Sequence, residues 1–247
     1  METPRRRYQT LDTLRGVTIV SMILYHACWD LVWIFGADWP WYRSEGAYLW
    51  QQSICWTFLL LSGFCWSMGR QPLRRGLTVF GGGVLVTLVT TFVMPEQQIL
   101  WGILTCTGSC MLLMIPFDRL GRKIPPQWGA VGSFSLFFLL RNVNEGFLGF
   151  ERLRFCRLPE WLYRDLLTAW LGFPAPGFRS ADYFSLIPWF FLFACGYFLY
   201  RLTERKGLTR KLMGRGALPG VNWLGRHSLP VYLLHQPILY GICQLLF

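Results

Sequence analysis

The chain lacks the local signatures that identify many soluble enzymes. It contains no P-loop, no GxGxxG dinucleotide fingerprint and no GxSxG turn, which leaves phosphate-driven transport and serine-hydrolase chemistry without support. Its eight cysteines include no CxxC pair. Cys106 and Cys110 lie one helical turn apart but have no histidine or carboxylate nearby, so we interpret them as packing residues and predict no metal.

Acidic residues are few, with 13 Asp and Glu against 24 Lys and Arg. The basic residues are clustered between apolar runs. This pattern favours anionic lipid headgroups as their partners and argues against nucleic acid. A cytoplasmic anionic ligand, such as a nucleotide phosphate, is the alternative left open. The clusters fall at residues 5–7, 70–75, 119–123 and 201–215.

Apolar and aromatic residues dominate the composition. Hydrophobic residues make up 53% of the chain, with 13 Trp and 20 Phe. Several apolar runs approach the roughly 20 residues that a membrane-crossing helix needs. The sequence therefore predicts an all-α, polytopic membrane helical bundle, one domain over residues 1–247 with about seven spans. We place these near 13–35, 47–68, 77–94, 99–117, 128–141, 184–200 and 229–246.

The charge clusters also predict an orientation. In the seven-span arrangement they share one side, and the short loops on the other side hold only Arg43. Because positive loops stay in the cytoplasm, we expect a cytoplasmic N-terminus and an external C-terminus. No cleavable signal peptide is predicted, because the first apolar run is too long and lacks a cleavage site. We expect a multi-pass protein of the inner (cytoplasmic) membrane.

One connection is long. Residues 142–183 are expected on the outer side, and a segment of this length is uncommon unless it is functional. Within it, residues 160–172 have the spacing of polar and apolar residues that is typical of an amphipathic helix. We expect this helix to lie in the membrane interface.

Four polar residues form a stripe along the first span. Asp12, Arg15, His26 and Asp30 fall on one helix face at 100° per residue. Ionisable groups inside a bilayer mark functional sites by default. Asp30 is one turn from His26, where a carboxylate can hydrogen-bond and orient an imidazole. The structural alternative is a helix cap at Asp12, a snorkelling Arg15 and a hydrogen-bonded interhelical His26.

Further polar residues lie in other spans. Tyr232 and His235 share a face of the last span, and Ser62 precedes a glycine near the end of the second. His235 is left open between the catalytic centre and the scaffold.

Three segments in order resemble the transmembrane acyltransferase superfamily. The nearest branch is the heparan-α-glucosaminide N-acetyltransferase catalytic family in its short bacterial form, and the spacing of Arg15 and His26 resembles the acyltransferase-3 branch. In the lysosomal enzymes of the first branch the active histidine lies in the first lumenal loop, but residues 36–46 here contain none. The segments are Leu-Asp-Thr-Leu-Arg-Gly at 11–16, Phe-Leu-Leu-Leu-Ser-Gly-Phe at 58–64 and Ser-Leu-Pro-Val-Tyr-Leu-Leu-His-Gln-Pro at 228–237, and residues 180–189 are also similar.

This resemblance implies a membrane enzyme that transfers an acyl group from cytoplasmic acetyl-CoA or another acyl-CoA to a carbohydrate hydroxyl or amine across the membrane. His26 would be the catalytic residue, with Asp30 orienting it. The donor would contact a set of inner polar residues, namely Arg15, Asp12, Arg70, Arg74 and Arg75. The acceptor or the surroundings of the site would involve Tyr232, His235, Asp182 and Ser62.

Two other functions stay open. The stripe would serve equally as a proton relay in a proton-coupled transporter or exporter component. The absence of paired repeats argues against this reading. The third interpretation is a structural partner in envelope assembly. The sequence does not decide between a monomer and a homodimer.

Overall fold

The computed structural model describes residues 8–209 and 218–246. Its architecture is mostly helical, as predicted. The helices are α1 (Gln9–Trp33), α2 (Glu45–Trp66), α3 (Pro72–Val93), α4 (Ile103–Gly121), α5 (Pro126–Leu140), α6 (Leu166–Leu171), α7 (Leu186–Arg205), α8 (Pro219–Arg226) and α9 (Ser228–Leu246), and the strands are β1 (Phe147–Phe150) and β2 (Leu153–Arg157).

Among the described residues, five helices are long and apolar enough to cross a membrane: α1, α3, α4, α7 and α9. The prediction of a helical membrane protein is confirmed at this level. α2 has 22 residues but carries Gln51, Gln52 and Ser53 within its length. α5 has 15 residues, about 22 Å at 1.5 Å per residue, which is shorter than a core of roughly 30 Å. The count of seven spans and the orientation stay predictions.

The chain divides into two compact units. The first contains α1, α2 up to Leu61, and the chain from Thr203, with α8 and α9. The second runs from Ser62 to Leu202.

In the first unit, α8 packs directly on α1 through glycines. A Cβ added at Gly16 would lie 2.0 Å from the Val221 carbonyl oxygen, and one at Gly225 would lie 2.0 Å from that of Asp12. The two backbones therefore touch where a side chain would separate them. α9 follows α8 and also packs on α1.

The second half of α1 is tied to α2 and to the turn before it. Trp50 Nε1 donates to Ser21 Oγ at 2.8 Å, and Tyr42 Oη donates to the Tyr25 carbonyl oxygen at 3.0 Å. The Tyr25 ring packs against both Tyr42 and Trp50, with centroids 5.2 Å away in each case. These contacts fix the helix turn that carries His26.

In the second unit, α3 and α4 approach closely at glycines. A Cβ at Gly83 would lie 2.5 Å from Thr105 N, and one at Gly108 would lie 2.5 Å from Phe80 N. Near the end of α2, Gly63 abuts the Phe193 carbonyl of α7, where a Cβ would be 1.9 Å from the oxygen. Small residues thus serve close helix packing here, as in many membrane bundles.

The long connection is more ordered than a single amphipathic helix. β1 and β2 form an antiparallel hairpin with an irregularity at Leu148 and Gly149, which the sequence did not predict. The helix expected over 160–172 is shorter, because Asp165 caps a new helix start. Its side chain accepts hydrogen bonds from Leu167 N and Thr168 N in a capping box. Only Leu166–Leu171 forms α6, preceded by a separate 3₁₀ turn at Glu160–Leu162.

Candidate functional site

Two histidine rings meet where α1 packs on α9. The ring centroids of His26 and His235 are 4.9 Å apart and the ring planes cross at 62°. Tyr25 lies edge-on to His26 with centroids 6.1 Å apart, and Tyr232 lies 5.2 Å from His235. Each histidine of the pair therefore has a tyrosine ring beside it.

The His235 ring has a defined hydrogen bond. Its Nδ1 lies 2.5 Å from the Tyr232 carbonyl oxygen. A carbonyl oxygen can only accept, so Nδ1 carries the hydrogen and donates it. In the neutral ring, Nε2 then holds the lone pair. Nε2 is buried and has no hydrogen-bond partner among the described residues.

Asp30 is paired with α9. It is completely buried, and its Oδ1 accepts a 2.5 Å hydrogen bond from Gln236 Nε2. The helical spacing predicted a bond from Asp30 to His26, and that expectation is corrected here. The spacing places both residues on one face of α1, but the carboxylate bonds across to the amide on α9.

Gln236 is the residue that the sequence reasoning missed. The sequence feature that could have identified Gln236 is an amide side chain within an apolar span, next to a histidine and followed by Pro237. The roles expected of His26, Asp30, Tyr232 and His235 stay predictions, but all four lie on the α1 and α9 helices of one unit.

The other end of the stripe holds an ion pair. Arg15 Nη1 lies 3.6 Å from Asp12 Oδ1, and the arginine side chain is 31% exposed. Arg15 and His26 are separated by about 16 Å along α1, at 1.5 Å per residue. The backbone of Asp12 lies against Gly225 of α8. The cation and the histidines thus lie at two separate levels of one helix.

The remaining predicted residues lie in the second unit. Arg70 and Arg74 are exposed, and Ser62 is partly buried. Arg75 Nη1 donates to the Trp66 carbonyl oxygen at 3.2 Å and packs over Gly69. Arg75 therefore closes the turn between α2 and α3.

Asp182 precedes α7 in the chain, and its side chain reaches the start of α4. Its Oδ2 accepts a 3.2 Å hydrogen bond from Ile103 N. The preceding residue, Gly102, has no side chain to cap that helix, so Asp182 supplies the cap from elsewhere in the chain. Burial raises the pKa of Asp182 to about 6, against the opposing effect of the Ile103 hydrogen bond.

The fold and this cluster define a class: a helical membrane protein with paired histidines and a buried carboxylate between apolar helices. Comparison with protein families matches residues 7–237 to the family described as heparan-alpha-glucosaminide N-acetyltransferase, catalytic. The match covers nearly the whole chain, so the protein belongs to that family, as its resemblance predicted. Comparisons with curated proteins and with solved structures gave no match.

Proposed function

We propose that this protein is an acyl-CoA-dependent acyltransferase of the inner membrane, carrying an acetyl or other acyl group from the cytoplasm to the hydroxyl or amine of an extracytoplasmic carbohydrate or glycan. The observation that carries the proposal is the family match over residues 7–237. The histidine pair of α1 and α9 lies within the matched residues and provides groups that transfer protons.

The donor would bind at the arginine end of α1. Arg15 stands within the first turns of the helix and is partly exposed, which suits contact with a CoA phosphate. Asp12 would fix its direction.

The chemistry would take place at His26. The acceptor oxygen or nitrogen attacks the thioester carbonyl carbon, the carbon–sulfur bond breaks, and CoA leaves as its thiol. Two mechanisms are open: His26 assists direct transfer by moving a proton, or it carries the acyl group as an acyl-histidine. Tyr232, whose ring lies beside that of His235, is proposed to lie on the acceptor side or around the site.

Calorimetric titration of acetyl-CoA into the detergent-purified protein tests the donor site. We expect saturable binding that is weakened about 10-fold to 100-fold by Arg15→Ala, because a charge-assisted hydrogen bond is lost. His26→Ala should retain binding. Arg43→Ala is the matched control, since Arg43 is expected in a loop on the opposite, outer side and packs over Trp33.

If a folded wild-type protein binds no acyl-CoA, the acyltransferase proposal is wrong. The buried Asp30 and its neighbouring histidines would then favour a proton-coupled transporter, since such groups form relays in membrane proteins. Transport that depends on a pH gradient and ignores CoA would establish that alternative.

A further inference from the structure

α4 and α7 of the second unit lie side by side and run in the same direction. Near the start of α7, the Asp182 carboxylate accepts a hydrogen bond from the N–H of Ile103, the first residue of α4. Toward the end of α7, Arg201 Nη1 donates at 2.5 Å to the carbonyl oxygen of Gly121, the last residue of α4. The chain leaves α4 at one end and enters α7 at the other, so the segment between them has to return along both helices.

α5 is the helix that makes this return. Gly129, in its first turn, lies against the Phe198 ring in the second half of α7. Phe137, near the end of α5, packs on Trp189 in the first turn of α7, with ring centroids 5.4 Å apart. α5 therefore runs antiparallel to α7. It carries no charged residue, and large apolar side chains such as Val131 are exposed along it.

α5 is short for a membrane crossing. Its 15 residues give about 22 Å, against a hydrocarbon core of roughly 30 Å. A short apolar segment is accommodated by thinning of the bilayer, by its flanking residues or by oligomerisation. The residues that follow the end of α5 belong to the β1–β2 hairpin.

The hairpin packs beside the last turn of α5. The Phe150 ring of β1 stacks on that of Phe138, with centroids 4.4 Å apart and planes within 6° of parallel. α6 also lies alongside the helices, because Trp170 Nε1 donates at 3.1 Å to Ser109 Oγ, which is buried in the second turn of α4. The hairpin is therefore at the depth where the helices of this unit end.

A β-bulge exposes a large aromatic side chain at that depth. In the register of the hairpin, Arg154 pairs with Gly149 and Cys156 pairs with Leu148. Phe155 is left as the extra residue, and its side chain is 62% exposed. Bulges redirect side chains and occur where a protein uses the altered direction. An exposed phenylalanine at such a position is suited to contact with an apolar partner.

The charges on either side of Phe155 are neutralised within the same segment. Arg154 Nη2 lies 3.1 Å from Glu145 Oε2, and Arg157 Nη2 lies 2.7 Å from Glu160 Oε1. The paired charges make it less costly to place the hairpin near apolar surroundings. The two strands also satisfy backbone hydrogen bonds in each other, as non-helical backbone close to a bilayer requires.

We propose that the β1–β2 hairpin lies in the membrane interface at the end of α5 and extends the apolar surface that α5 is too short to provide. Phe155 and Leu153, which is 54% exposed, contact phospholipid at the boundary between headgroups and acyl chains. The partner of this surface is the bilayer itself. The proposal concerns the way the second unit is seated in the membrane and does not depend on acyl transfer.

Spin labels in phosphatidylcholine vesicles test this depth. The full chain carries Cys156→Ser, because Cys156 is the one exposed cysteine among the described residues. A nitroxide is attached at Phe155→Cys, at Val131→Cys on α5 as the lipid reference, or at Glu96→Cys, in the exposed turn before α4, as the water reference. The ratio of collisions with oxygen to collisions with a water-soluble nickel chelate should be close at Phe155→Cys and Val131→Cys. Both ratios should exceed that at Glu96→Cys.

Leu153→Cys in the same background is a second reporter on the hairpin and should give the same result as Phe155→Cys. Ratios at both hairpin positions equal to that at Glu96→Cys would mean that the bilayer thins around α5 and leaves the hairpin in water, which overturns the proposal. Spectral broadening at Phe155→Cys that disappears when labelled protein is mixed with unlabelled protein would place a second copy on the hairpin. That result would also overturn it.

Discussion

Two groups of polar side chains in this protein differ in what their hydrogen bonds do. Around the long connection of the second unit, several side chains bond to the backbone, although Asn144 Oδ1 is buried without a hydrogen-bond partner among the described residues. Asn142 pairs with both the N–H and the carbonyl of Glu151, Asp165 caps α6, and Ser180 bonds to Leu100. In the α1–α9 contact, Asp30, His235 and Gln236 each keep one buried atom unbonded.

The difference separates side chains whose polar atoms are bonded within the fold, such as Asn142 and Asp165, from the three side chains of the α1–α9 contact that keep one buried atom unbonded. Asp182 and Asp30 illustrate it. Both are carboxylates that the sequence marked as site residues, but Asp182 caps α4 whereas Asp30 faces an amide and keeps an open oxygen. We therefore expect substitutions in the first group to change stability and those in the second to change activity.

The largest expected effect is on catalysis. His26→Ala should reduce acetyl transfer at least about 100-fold, the range of a lost acid–base or nucleophilic group. The protein should still insert and unfold near the wild-type temperature, because His26 is only partly buried. Steady-state transfer and thermal unfolding in detergent measure both quantities.

His227→Ala provides the reference for that experiment, since the side chain of His227 is exposed at the start of α9. Full activity in a correctly inserted His26→Ala protein would remove His26 from the mechanism. Loss of folding in the variant would instead place His26 with the structural group.

The next effect is on stability. Asn142 is 2% exposed, and Asn142→Ala removes two hydrogen bonds to Glu151, of 2.7 and 2.8 Å. The free energy of unfolding should fall by about 1–3 kcal/mol. Activity measured at a temperature where the variant is folded should stay near that of the wild type.

Asn144→Ala is the matched control for this loss. The Asn144 Oδ1 is buried but has no hydrogen-bond partner among the described residues. The substitution should therefore destabilise the protein less than Asn142→Ala. Equal losses would mean that the hairpin is held by packing and not by the Asn142 side chain.

Much of the fold follows from apolar run length alone. Among the described residues, five of the seven predicted spans correspond to helices long and apolar enough to cross a membrane, because lipid-length apolar segments leave the backbone no other way to satisfy its hydrogen bonds. The segment 142–183 was harder, since its hairpin depends on the contact of Asn142 with Glu151 and its helix start depends on the local cap at Asp165. Neither the hairpin contact nor the helix cap produces a periodic pattern of apolar residues in the sequence.

The candidate site was predicted only along one helix. Periodicity placed Asp12, Arg15, His26 and Asp30 on a common face, but it carries no information about which helix packs against that face. The pairing of Asp30 with Gln236 and of His26 with His235 depends on the packing of α1 on α9. That packing joins segments about 200 residues apart in the chain, which the periodicity of one helix does not specify.

The smallest effect is expected at Asp182 and depends on pH. The pKa of Asp182 is raised from 3.8 to about 6, so the folded state holds this proton more tightly than the unfolded state. Its contribution to stability is full below about pH 4 and is lost as the pH rises through about 6. Asp182→Asn keeps an acceptor for Ile103 N–H but cannot ionise. Its unfolding temperature should therefore fall less than that of the wild type between pH 4.5 and 6.5, as thermal scans would show.

Asp182→Ala, which loses the cap, should lower the unfolding temperature by about 2–4 °C for each kcal/mol lost. If the unfolding temperatures of Asp182→Asn and the wild type change with pH in parallel, the ionisation of this carboxylate is not linked to folding. The contrast between Asp182 and Asp30 would then rest only on their hydrogen bonds.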